Sequence, residues 1–287
     1  FLAQIKHPLP DIHKDVTAPR MFNDGEAKQE DIEIRAKDEE YQRKLQPVDA
    51  RVDACYITRS SHYTGMINIH DIEWGNAGLW VVNSSFSCLS TVDPAYSFVP
   101  QWKPPFIDKL TPEDRCHLNG MTLRDGEPAY VTTFSQFENA KQWRDSDKRT
   151  GTLIDVKRNE VVVSGLSMPH SPRWHHPDTG ETEVIAELPG FTRGIDIYGS
   201  LMFVGLSRRR NSDVSAPALI DEKEGETCSG IWLINLENNE VVGQISFQGN
   251  VDQIYDIAIL NNTCFPEVIE PSHPRMRNHF CHPGLTT

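Results

Sequence analysis

From Val52 onward the chain is written in short apolar runs, β-branched and aromatic, cut by turn residues every few positions. Gly78-Leu79-Trp80-Val81-Val82-Asn83, Ala129-Tyr130-Val131-Thr132-Thr133, Leu201-Met202-Phe203-Val204-Gly205 and Gly230-Ile231-Trp232-Leu233-Ile234 are examples. Each has the length of a strand, and no helical period persists between them, so the pattern predicts an all-β architecture. Residues 1–50 read differently, being rich in charge and proline, with one candidate short helix or polar strand around Glu30 to Lys44. The expected organisation is an N-terminal segment over 1–50, part of a first sheet, followed by a β domain over 51–287.

The same text recurs. Leu153-Ile154-Asp155-Val156-Lys157-Arg158-Asn159-Glu160-Val161-Val162 shares its plan with Leu233-Ile234-Asn235-Leu236-Glu237-Asn238-Asn239-Glu240-Val241-Val242. Each copy is a strand ending in Asp or Asn, a turn, and a strand opening Glu-Val-Val, which predicts a hairpin between outer strands. Asp178-Thr179-Gly180-Glu181, followed by Val184 to Leu188, resembles a third copy of that turn. A second repeat is a polar residue, a small or acidic one, and two apolar residues one position apart. Its copies begin at His70, Asn119, His170, Arg193 and Tyr255. Self-similarity at roughly 40 to 50 residues is the mark of a β-propeller, and these five segments are the expected inner strands. Equivalent positions then encircle a central channel. His117, two residues before Asn119, shares its strand face because side chains alternate with period two.

The spacing carries a defect. His70 to Asn119 and Asn119 to His170 each span a blade, whereas His170 to Arg193 is far too short for one. Two strands are expected to be absent between His175 and Pro177. The fold predicted is therefore a β-propeller of about six four-stranded blades, like strictosidine synthase or the NHL repeat proteins in kind, with part of one or two blades missing.

Longer motifs carry a family resemblance. Ile69-His70-Asp71, Leu79 through Leu89, Ser97-Phe98-Val99-Pro100-Gln101-Trp102-Lys103-Pro104-Pro105-Phe106, Asp114-Arg115-Cys116-His117-Leu118-Asn119-Gly120 and Gly165 through Trp174 resemble an uncharacterised propeller-type conserved domain of unknown function. That family is seen mostly in bacteria, sometimes fused to tetratricopeptide repeats. The resemblance runs from about Val52 to Phe280 and implies the propeller fold, but no activity. Two departures stand out: the family continues past the Trp174 equivalent with a strand pair that this chain lacks, and Phe1 to Lys44 reproduces its first blade poorly.

Charge narrows the partners. The 287 residues carry a formal charge of −13, and a phosphate-backbone partner usually demands a concentrated basic surface, so no nucleic acid is expected. Arg208-Arg209-Arg210 is too short a run to change that. The apolar runs are strand-sized, so no membrane span is expected, and a soluble protein, cytoplasmic or secreted, is the reading. Six cysteines without a CxxC pair suggest buried free thiols rather than a zinc ribbon or a redox dithiol.

Candidate chemistry then concentrates at the channel mouth. His70, His117 and His170 could together hold a transition metal such as Zn, Cu or Fe, with Asp71 or Asp256 orienting a ring N–H. Such a centre would make the protein a lyase, hydrolase or oxygenase acting on a small molecule or peptide. The competing reading is a non-catalytic propeller that binds a ligand or a protein partner. Its ligand-binding residues would be Asn119, Arg193, Tyr255, Asp71 and Asp256, with an anion or carboxylate held on Arg193 and His70 and Asn119 as further donors. A third account makes the same residues a hydrogen-bonded polar axis with no ligand. Ser171 beside His170 and Cys116 beside His117 do not suggest nucleophile pairs, because neighbours in a strand point to opposite faces.

Overall fold

The computed structural model describes residues 2–5, 51–175, 183–208, 227–273 and 276. Its described strands are β1 (Leu2–Ile5), β2 (Ala54–Thr58), β3 (Ile69–Gly75), β4 (Gly78–Asn83), β5 (Cys88–Thr91), β6 (Val99–Trp102), β7 (Leu118–Arg124) and β8 (Glu127–Thr133). They continue with β9 (Gly151–Asp155), β10 (Glu160–Leu166), β11 (Phe191–Tyr198), β12 (Leu201–Ser207), β13 (Gly230–Asn235), β14 (Glu240–Ser246) and β15 (Pro266–Ile269). Two single 3-10 turns, Gln142–Arg144 and Lys148–Thr150, lie between β8 and β9. The all-β expectation holds.

By internal contacts the chain divides into two compact units, one of residues 62–259 and one of residues 1–61 with 260–287. The larger unit contains three four-stranded antiparallel meanders, β3-β4-β5-β6, β7-β8-β9-β10 and β11-β12-β13-β14. The two predicted outer hairpins are present as β9–β10, pairing Asp155 with Glu160, and β13–β14, pairing Asn235 with Glu240. Their turns close because Asn159 and Asn239 adopt φ of 57° and 59°, the left-handed region that Asn tolerates best after Gly. The core of the first two sheets is Trp80, Val82, Leu89, Ile107, Cys116, Leu118, Met121, Leu123, Val131 and Ile154. Val204, Leu206, Trp232 and Ile234 form the core of the third.

The smaller unit holds a three-stranded sheet in the order β1-β2-β15. Here β15 lies parallel to β2, with Pro266 opposite Ala54 and Ile269 opposite Ile57. Asp53 fixes the register, its carboxylate accepting from Cys264 N–H at 2.6 Å and Phe265 N–H at 2.9 Å. Cys55, Ile57 and Ile269 are its buried core.

Three of the five expected inner strands are strands, β3, β7 and β11. The other two, His170–Trp174 and Tyr255–Ile259, form no backbone ladder, and this corrects their assignment. They lie alongside β7 and β11 and are held by side-chain acceptors instead: Trp174 N–H donates to Thr122 Oγ1 (2.9 Å), Gly194 N–H to Ser171 Oγ (2.9 Å) and Ile259 N–H to Asp196 Oδ2 (2.6 Å). Neither segment is followed by an antiparallel partner of its own among the described residues, so no ladder can form. The suggested third turn over 178–181 and the expected gap between His175 and Pro177 lie outside the described residues, and Val184 to Leu188 forms no strand. Five described cysteines are free: Cys55, Cys88 and Cys116 buried, Cys228 half-buried and Cys264 exposed. Burial pushes the Cys116 thiol up to about 12, so it is inert. No described helix is long and apolar enough to cross a membrane.

Candidate functional site

His70 and Asn119 are the second residues of β3 and β7, and the two strands stand side by side in neighbouring sheets. Asn119 Nδ2 lies 3.2 Å from His70 Nδ1, and Asn68 Nδ2 lies 3.2 Å from His70 Nε2, so the half-buried imidazole is held between two amides. His117, immediately before β7, is buried beneath it with ring centroids 4.5 Å apart, edge to face. Its Nδ1 is 2.8 Å from Asp114 Oδ1, and Trp143 Nε1–H donates to the other oxygen of Asp114 at 3.2 Å. Trp143 and Phe134 cover the His117 ring at 4.2 and 4.5 Å, and Phe134 also packs 5.1 Å from His170. His170 directs Nδ1 at the Met168 carbonyl, 2.7 Å away. A carbonyl only accepts, which fixes Nδ1–H as the tautomer and leaves Nε2 with a lone pair. Arg193 of β11 lies over the exposed ring of Tyr255, 5.2 Å from its centroid.

His70, His117, Asn119 and His170 are therefore brought together, with Arg193 near enough for its charge to act on two of the imidazoles, and the electrostatics follow from their burial. His70 is brought down to about 4, first by burial and then by the charges of His117 and Arg193. His170 is brought down to about 3, again by burial first and by Arg193 next. Both imidazoles are neutral at physiological pH, and the guanidinium of Arg193 acts on both.

Backbone conformation marks the same place. Asn68, Asp114, His117, Met168 and Ser171 have φ between 46° and 52°, where a residue with a Cβ is disfavoured. Asn68 touches His70, Asp114 and His117 bond each other, Met168 accepts from His170, and Ser171 accepts from β11. Such outliers each cost on the order of 1–3 kcal/mol and gather where geometry is constrained by function.

One level further along the inner segments stands a second polar group. Arg173 places Nη1 3.4 Å from Asp71 Oδ2, and Nη2 2.9 and 3.2 Å from the two oxygens of Asp256. Asp71 also accepts from Ile72 N–H (2.9 Å) and Met121 N–H (3.0 Å). Burial raises its carboxyl even so, against the opposing pull of Arg173 and the N–H donors. Asp71 and Asp256 consequently do not orient the imidazoles, as the sequence reading expected: Asp114 and the Met168 carbonyl do, and the two aspartates serve Arg173. Asp114, Trp143, Asn68 and Arg173 escaped the sequence reading. Asp114 had a signal in its place three residues before His117, and Arg173 in its position two residues after Ser171 on the same repeated segment.

Among the described residues no group of three or more His, Cys, Asp or Glu is gathered to hold a metal ion. Both nitrogens of His70 face amides, while His117 and His170 have Nδ1 engaged and Nε2 as the remaining donor atom.

Compared with known families, the chain matches over residues 29–269 the one described as "Domain of unknown function (DUF4915)". No curated protein matches it.

Proposed function

The chain belongs to the DUF4915 family, whose description assigns no activity, and from the site itself we propose a binding propeller whose mouth takes a small anionic molecule, a carboxylate. Arg193 supplies the charge. Asn119 is the neighbouring amide donor, and the imidazoles of His70 and His170, being neutral, set no second cation against Arg193. The observation that carries the reading is the cation itself: the charge of Arg193 reaches both His70 and His170, which are held neutral, within a chain of net charge −13. The propeller of about six blades is part of the proposal. It is supported by side-chain-to-backbone bonds at one repeated level, Leu123 N–H to Glu73, Trp174 N–H to Thr122 and Ile259 N–H to Asp196, as side-by-side inner strands require.

One observation favours the metal enzyme as a second reading. His117 and His170 both engage Nδ1 with an oxygen, Asp114 and the Met168 carbonyl, the arrangement that presents Nε2 to a metal. Zn, Cu or Fe on His117 and His170 would then supply Lewis acidity or redox chemistry at the mouth, His70 joining them only on release of one of its two amides.

Calorimetric titration with acetate, lactate, malonate and citrate, together with elemental analysis of the native protein, decides between them. At least one carboxylate is expected to bind, and Arg193→Ala to weaken it about tenfold or more, the value of a charge-assisted bond. Binding that is absent, or indifferent to Arg193→Ala, overturns the anion reading. Stoichiometric Zn, Cu or Fe that His170→Ala removes would replace it with the metal centre.

A further inference from the structure

At the opposite end of β3 and β7 from the histidines, a groove of about 700 Å³ lies between the first two four-stranded sheets of the larger unit. Its aromatic walls are Trp80 of β4, Trp102 of β6 and Tyr130 of β8. Both ends are tied across. At one, Asn76 Nδ2 donates to the Asp125 carbonyl (3.0 Å) and to Glu127 Oε1 (3.2 Å), and Asn76 N–H donates to the Gly126 carbonyl (2.8 Å). At the other, Trp102 Nε1–H donates to Asn159 Oδ1 at 3.2 Å. The sheets thus hold a fixed gap between them.

The groove's donors and acceptors define what fits. Trp80 is 6% exposed and contributes to the wall with its ring, its indole N–H being buried. Gly75 seats that indole: a Cβ there would fall 2.8 Å from Nε1. The rim is mixed and balanced. Arg124 and Lys157 face Asp125, Glu127 and Asp155, and the last is paired with Arg158 at 3.4 Å. Neither an anion nor a cation gains from such a lining. A molecule with flat C–H faces for the rings and many hydroxyls, each both donor and acceptor, gains from all of it.

We infer that this groove is a binding site for a neutral saccharide, distinct from the anionic site at the mouth. Sugar C–H faces lie on Trp102 and Tyr130, and Gln101 and Glu127 bond hydroxyls at the rim.

The test is an array of neutral, sialylated and sulfated oligosaccharides probed with the whole chain, followed by calorimetry on the strongest neutral binder. A neutral glycan is expected to be retained. Trp102→Ala should weaken it about tenfold or more, and Trp102→Phe, which keeps a ring face, only a few-fold. Gln101→Ala, at an exposed side chain, should weaken binding several-fold with little change in melting temperature, so loss of binding is separable from loss of fold. Arg193→Ala should leave binding unchanged. Retention of no neutral glycan overturns the inference, as does a preference for the charged glycans. So does binding that withstands both Gln101→Ala and Trp102→Ala, or that disappears with Arg193→Ala.

Discussion

His70 and His170 tie stability to pH in a direction fixed by their burial. Each has an ordinary value near 6.5 when unfolded, against about 4 and about 3 in the fold. Between those limits the unfolded chain binds protons that the native chain does not, so stability falls as pH falls. Their contribution is complete above about 6.5 and is lost progressively toward 4 and then 3. Asp71 works oppositely, because its raised carboxyl makes the native state the better proton acceptor, but only near the carboxylate range. Urea midpoints at pH 7.5, 6 and 5 should therefore drop steadily, and drop less in His170→Gln, which cannot be protonated. Identical slopes for the two proteins would show that His170 is not held neutral. The sequence revealed this residue set through the repeated segments, on which His70, His117, Asn119, His170 and Arg193 fall at or beside one repeated position. It did not reveal the residues that orient them. Asp114 reaches His117 from a loop with a left-handed backbone, and Trp143 arrives from a 3-10 turn, and no strand period points to either.

At the scale of elements, neighbouring inner segments are joined by side chains that stand in for a missing ladder. Asp196 accepts from its own Ile197 N–H at 2.8 Å and from Ile259 N–H at 2.6 Å, repeating what Asp71 does with Ile72 and Met121. Removing such a carboxylate leaves backbone donors without acceptors, at about 1–3 kcal/mol for each buried group. Asp71→Ala should accordingly destabilise the protein by roughly 2–4 kcal/mol, because Arg173 loses a partner as well. Asp256→Asn, at a largely exposed carboxylate, should cost less than about 1 kcal/mol. Denaturant titration of the two variants checks the ranking, and equal costs would mean that Asp71 is no staple. The hairpins β9–β10 and β13–β14 were legible because turn chemistry is local. The His170 and Tyr255 segments were read as strands because apolar alternation records which face is buried, not whether a backbone partner stands beside it.

For the whole molecule, one pairing carries a consequence in time. Strand β2 takes β15 as its parallel neighbour, and Asp53 reaches Cys264 across 211 positions of chain. On a ribosome adding about 5–20 residues per second, β2 emerges roughly 10 to 40 seconds before the strand that covers it. The larger unit, encoded between them, ends at residue 259, just ahead of that strand. During the wait Cys55 and Ile57 lack Ile269, their partner in the core of the smaller sheet. Nascent chains stalled before residue 266 should thus expose the Cys55 thiol to a maleimide, while chains released at full length protect it. Equal labelling of both would mean that β2 finds its cover before β15 is made. The order of synthesis makes the smaller sheet the last part of this protein to close and the first surface on which a chaperone could act.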